Sequence, residues 1–123
     1  MGYNNIDKLI DLTYLKQISN GDTGFIKEMI GIYLKETPIA IINLEKHLKN
    51  KDWKMLREVI HKMKAAFSFF GLKDMYCLLD SMEEYSEKEI HLNLLPDLID
   101  KVKLVCTQTI MELENQKDLS LMN

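Results

Sequence analysis

Apolar residues recur along most of this chain at steps of three and four, the spacing that lines one side of an α-helix. Four stretches carry the pattern at length. The first stripe is Ile26, Ile30, Tyr33, Thr37, Ile41, Leu44 and Leu48, and the second is Leu56, Ile60, Met63, Phe67 and Phe70. The third is Leu72, Met75, Tyr76, Leu79 and Met82, ending in the charged stretch 83–89, and the fourth is Leu95, Leu98, Val102, Val105, Thr109 and Leu113. A shorter run of Leu12, Leu15 and Ile18 precedes them. The punctuation agrees: Asp11 can cap the short helix, Ser19–Asp22 breaks it, and Asp22 or Thr23 can cap the next. Asp52 can cap a helix beginning at Trp53 and stopping at Gly71, and Pro96 suits a first helical turn. Pro38 falls inside the longest stripe and predicts a kink there, or a restart with Thr37 as cap. The expected fold is all-α: an up-down-up-down four-helix bundle with a short extra N-terminal helix. One domain over 8–115 is expected, with flexible polar ends at 1–7 and 116–123.

Composition narrows the picture. With 46% hydrophobic residues the chain can bury a core without disulfide or metal staples, and five glycines and two prolines leave little material for hairpins. A net charge of -3 speaks against phosphate-backbone binding, so no nucleic-acid partner is expected. Lys46, Lys49, Lys51 and Lys54 are interleaved with apolar and acidic residues and read as a solvated helix end. Cys77 and Cys106 sit inside apolar helical patterns, where buried free thiols in a reducing compartment are expected. The longest apolar stretch, Ile39–Leu44, is far too short to span a membrane. Asp7 and Asp11 stand where a signal peptide would be basic, and Ile6 stands where a myristoylation motif after Gly2 needs Ser or Thr. The expectation is a cytoplasmic monomer with no membrane partner.

The helix beginning at Trp53 carries the candidate chemistry. At roughly 100° per residue, His61 lies about 140° from the centre of the Leu56–Phe70 stripe and points to solvent. Lys54, Arg57, Glu58, Lys64, Ala65 and Ser68 share its outer face, with Arg57 one turn before it and Lys64 and Ala65 one turn after. A surface histidine is ordinarily a solvated polar residue; its neighbours change that reading. An ammonium at Lys64 disfavours the imidazolium and so keeps a nucleophilic ring nitrogen available. The same ammonium would compensate an arriving phosphoryl group. Ala65 leaves room beside the ring for another protein. Phe67, Phe69 and Phe70 are expected in packing.

The run His61-Lys62-Met63-Lys64-Ala65-Ala66-Phe67-Ser68-Phe69-Phe70-Gly71 resembles the motif of histidine-containing phosphotransfer (HPt) domains: a His, a Lys three residues on, small residues, and a Gly ten residues after the His. Leu12-Thr13-Tyr14-Leu15, the Ser19–Asp22 break with Phe25, and Asp52-Trp53 have counterparts in the family, so the likeness spans about residues 10–114. Ala65 and Ser68 stand where the family often has Gly. The resemblance implies a phosphoryl carrier that is not an enzyme in its own right. His61, through Nε2, would take the group from an aspartyl-phosphate on the receiver domain of a hybrid histidine kinase and pass it to a response-regulator receiver. Lys64 would screen the phosphate and Gly71 would serve the turn. No cofactor is implied for this chain, since Mg²⁺ belongs to the receiver.

Glu58-Val59-Ile60-His61 is a Glu-x-x-His unit of the kind used by di-iron bundles, but such sites need two units and two further glutamates, all facing inward. The chain has one unit, facing out, so no metal is expected. No nucleotide-binding glycine loop or nucleophile elbow is present, and His47 and His91 lack a Lys three residues on. The remaining alternative is a helical interaction module that binds receivers without phosphoryl transfer. For either reading the expected partner surface is Phe25, Met29 and Ile32, on the outer side of the long second helix.

Overall fold

Asp22 and Asp52 take up the cap positions expected of them, whereas the first helix has Leu12 at its N-cap, one residue past Asp11. Asp22 accepts hydrogen bonds from the backbone N–H of Gly24 (2.9 Å) and Phe25 (3.2 Å), and Asp52 from that of Met55 (3.2 Å). Asp11 accepts from Thr13 N–H at 2.9 Å, just ahead of the first helix. The computed structural model describes residues 8–122, and their side chains as far as residue 115. Its helices are α1 (Thr13–Ile18), α2 (Thr23–Lys49), α3 (Trp53–Phe69), α4 (Lys73–Lys88) and α5 (Leu95–Met122), with a 3-10 turn, Leu92–Leu94, leading into α5. No strand occurs among the described residues.

The four long helices form an up-down-up-down bundle. Helix α2 packs on α3 and α5, and α4 closes the ring, closely against α3 and more loosely against α5. All five stripe residues of the third expected helix, Leu56, Ile60, Met63, Phe67 and Phe70, are buried. Helix α1 lies across one end, with Leu15 fully buried and Tyr14 against Phe69, ring centroids 6.0 Å apart. The segment before α1 is tied down at two points. Leu9 and Ile10 donate their N–H groups to the Glu112 carboxylate of α5, and Asp11 N–H donates to Phe70 O at 3.0 Å.

Gly71 makes the α3–α4 turn with φ +72°, and a Cβ there would lie 2.7 Å from Asp11 Cβ and 2.8 Å from its carbonyl oxygen. Only glycine supplies both the left-handed backbone and the clearance.

Several expectations need correction. Helix α2 runs unbroken through Pro38, so there is no restart at Thr37. Proline removes one backbone donor, and burial of residues on both sides of it, Tyr33 and Thr37 before and Leu44 after, holds the helix through the gap. Thr37 is buried in the interior of the helix rather than standing at a cap. Tyr76 and Cys77 lie on the exposed side of α4, while Ser86 is buried; one side of α4 faces α3 closely and leaves less of its circumference to cover. On α5, Ile99 and Cys106 are buried and Leu98 and Val105 only half-buried, a rotation of the stripe by one position. Helix α5 continues beyond the expected boundary at 115, to Met122. The end expected at 1–7 lies outside the described residues.

Candidate functional site

Helices α3 and α4 run antiparallel on either side of the Gly71 turn, and this sets a register of side chains across their shared outer face. Three pairs meet there: Arg57 with Glu87, His61 with Glu83, and Lys64 with Asp80. Leu72 is the midpoint of every pair in the sequence. The matching follows from two helices of equal pitch folded back about one turn.

His61 stands on this face with 67% of its side chain exposed, as its angle from the stripe predicts. Its Nδ1 is 2.9 Å from Glu83 Oε2. A carboxylate only accepts, so in the neutral ring Nδ1 carries the proton and Nε2 keeps an unshared pair. The other oxygen of the same carboxylate, Oε1, accepts from Lys64 Nζ at 2.8 Å, and Lys64 also donates to Asp80 Oδ1 at 2.7 Å. Arg57 approaches Glu83 Oε2 at 3.7 Å and Glu87 at 4.0 Å. Glu83 is thus the centre of the cluster. Its burial raises the carboxyl pKa, but hydrogen bonds from Lys64 and His61, together with their charges, outweigh burial and hold it below the ordinary glutamate value.

Lys64, expected as a cation one turn from the imidazole, is already held by two carboxylates. Its side chain is only 13% exposed, its ammonium is shared between Asp80 and Glu83, and it lies 5.2 Å from the Tyr76 ring centre. Hydrogen bonds to Asp80 and then Glu83 push its pKa above the usual lysine value, against an opposing effect of burial. Around a neutral His61 the two cations Arg57 and Lys64 face three carboxylates, Asp80, Glu83 and Glu87. The cluster carries a net negative charge.

The remaining expected residues fall as follows. Ala65 and Ser68 are exposed beside and beyond His61, and Glu58 is exposed as well. Met29 and Ile32 line an open groove of about 560 Å³ between α2 and α3, with Ile39, Val59, Ala66 and Phe69 among its walls. Phe25 is half-buried and packs on the core. His91 is exposed on a left-handed turn with its ring edge-on to Tyr85, 5.1 Å between centroids. Glu83 and Asp80 were missed by the sequence reading. The usable signal was their position, mirrored about Leu72 from His61 and Lys64.

The family model for the Hpt domain matches residues 28–116, which takes in α3, α4 and most of α2 and α5. The chain belongs to the Hpt family. Members of that family take part in His–Asp phosphorelay as phosphotransfer carriers, and their fold is a helical bundle, as found here. No curated protein and no solved structure matches the chain. Among the described residues no helix is long and apolar enough to cross a membrane.

Proposed function

We propose that this Hpt protein is a phosphorelay intermediate in which His61 is the phosphoryl carrier. The observation that carries the reading is the exposed imidazole held through Nδ1 by Glu83, with the Nε2 pair unshared. In the forward step Nε2 attacks the phosphorus of a receiver's aspartyl-phosphate. The N–P bond forms, the acyl O–P bond breaks, and the electron pair leaves on the receiver's carboxylate. Nε2 has no proton to lose, so the ring becomes an N-phosphorylated imidazolium, and Glu83 stands at Nδ1 to stabilise that positive charge. The reverse step, to the aspartate of a response-regulator receiver, uses the same geometry.

Positioning and charge are this chain's contribution; Mg²⁺ and the carboxylate come with the receiver. The reading includes no kinase or hydrolase site and no cofactor of its own. It places a monomer in the cytoplasm with two receiver partners. Ala65 and Ser68 give the approaching receiver clearance, and the groove lined by Met29 and Ile32 offers it an apolar foothold within reach of the same face.

The test is incubation with a receiver carrying labelled aspartyl-phosphate. Acid-labile, base-stable label should appear on the wild type and be absent from His61→Gln. Receiver binding without any label on the wild type would favour the interaction module instead. Substituting Met29 and Ile32 together by Ala should weaken receiver binding by about tenfold or more, as expected when apolar anchors are truncated; unchanged binding would remove the groove from the interface.

A further inference from the structure

We propose that Asp80 is a positioning residue that competes with the His61 phosphoryl group for Lys64 and so sets how readily the carrier gives the group away. The inference rests on the carrier reading above and deepens it. Lys64 is the cation one turn from His61, and its ammonium has two partners at 2.7 and 2.8 Å, Asp80 Oδ1 and Glu83 Oε1. Glu83 is also bound to His61 Nδ1, so its carboxylate belongs to the imidazole whether or not the ring is phosphorylated. Asp80 has no such tie. Its side chain is 65% exposed, and its ion pair within the cluster is with Lys64.

A phosphoryl group on Nε2 brings a charge of about -1.5 to -2 into a cluster that is already net negative. Lys64 has a third N–H to offer the group, and drawing the ammonium toward it strains the bond to Asp80, the partner with no other tie. With Asp80 in place the phosphorylated state is therefore less stabilised than the His61–Lys64 spacing alone would make it. A carrier must surrender its cargo, and a carboxylate that holds the nearest ammonium in competition keeps that cargo labile.

The experiment needs no partner. Phosphoramidate serves as the donor: its P–N bond breaks with the electron pair on nitrogen, which takes a proton from water and leaves as ammonia, while the Nε2–P bond forms. At fixed phosphoramidate and ammonia concentrations, ³¹P NMR gives the ratio of phosphorylated to free His61 in the full chain. Asp80→Asn should raise that ratio about three- to tenfold, the size expected when one partly solvated charge stops competing. Asp80→Glu should restore the wild-type ratio. Glu84→Gln, which alters an exposed carboxylate paired with Lys88 on the same helix, should leave it unchanged. The phosphorus chemical shift of Asp80→Asn should move as Lys64 closes on the phosphate, a change that a general loss of helix stability would not produce. A ratio and shift in Asp80→Asn equal to wild type would overturn the role of Asp80 and leave the carrier reading standing. Absence of phosphohistidine on the wild type would overturn both.

Discussion

Two clusters of hydrogen-bonded side chains tie neighbouring helices of this bundle together, and they are opposite in character. One lies in the core between α2 and α5, where the Tyr33 hydroxyl, with Tyr33 only 3% exposed, meets Thr109 Oγ1 at 2.7 Å. Thr109 in turn donates to the Cys106 carbonyl oxygen at 3.0 Å. Burial raises the Tyr33 pKa and pushes the Cys106 thiol up to about 12, so both groups stay neutral and protonated. The other cluster, from Arg57 and Glu87 through His61 and Glu83 to Lys64 and Asp80, is charged and lies at the surface between α3 and α4. The buried cluster is satisfied within itself and can only fasten. The surface cluster is also paired, yet water covers part of it and its partners can be exchanged for an incoming anion. The difference separates a structural polar contact from a candidate site in a protein where both join helices.

The contrast can be broken most strongly from the core side. Tyr33→Ala should destabilise the bundle by about 3–5 kcal/mol, the usual cost of deleting a buried aromatic ring. Urea unfolding followed by circular dichroism measures it, and a loss below about 1 kcal/mol would mean that the α2–α5 seam is not a principal fastening. Next in size is Gly71→Ala. Strain at φ +72° and the clash with the Asp11 backbone should together cost about 1–3 kcal/mol. Because Gly71 sets the α3–α4 register, this variant should also shift the amide resonances of Glu83 and His61; a stable variant with unmoved resonances would separate the turn from the site.

On the surface side the effects on stability should be small and dependent on pH. Glu83 has a lowered pKa in the folded protein, so its contribution is present above the ordinary carboxyl value of 4.5 and is lost as pH falls through the folded value. Lys64 has a raised pKa, so its contribution is complete below the ordinary value of 10.5 and fades as pH rises through the folded one. Between those limits the pair is intact. Glu83→Gln should cost no more than about 1 kcal/mol near neutral pH, and the difference from wild type should vanish in acid. A difference that persists undiminished at pH 2 would assign Glu83 a packing role instead. Smallest of all, His61→Gln should alter stability by only about ±0.5 kcal/mol, since the ring is mostly in water.

Much of this organisation is legible in the sequence, and the failures are instructive. The four buried residues of α3, Phe70 just past its end and the outward angle of His61 follow from a single period along one helix. Capping by Asp22 and Asp52 is equally local. Of the two outcomes open at Pro38, the restart is excluded because packing on both sides carries α2 through, although local backbone chemistry favours a break there. Cys77 and Tyr76 were misread because an apolar side chain on a helix does not declare which neighbour, if any, covers it. Glu83 was missed for a related reason. It lies 22 residues from His61 on another helix, and a period along one helix carries no information about what a second helix brings alongside. Only after α3 and α4 are folded about Gly71 does the mirror relation around Leu72 pair them. The same step brings Asp80 and Glu83 to the Lys64 ammonium.

The carrier role rests on one atom, the Nε2 of His61, where phosphorus can be located directly. Phosphorylated wild-type protein should show, by ³¹P NMR with ¹⁵N-labelled histidine, a single phosphohistidine in which phosphorus is bonded to Nε2 while Nδ1 keeps its proton toward Glu83. Phosphorus on Nδ1 of His61, on His47 or His91, or on no histidine at all would contradict the account.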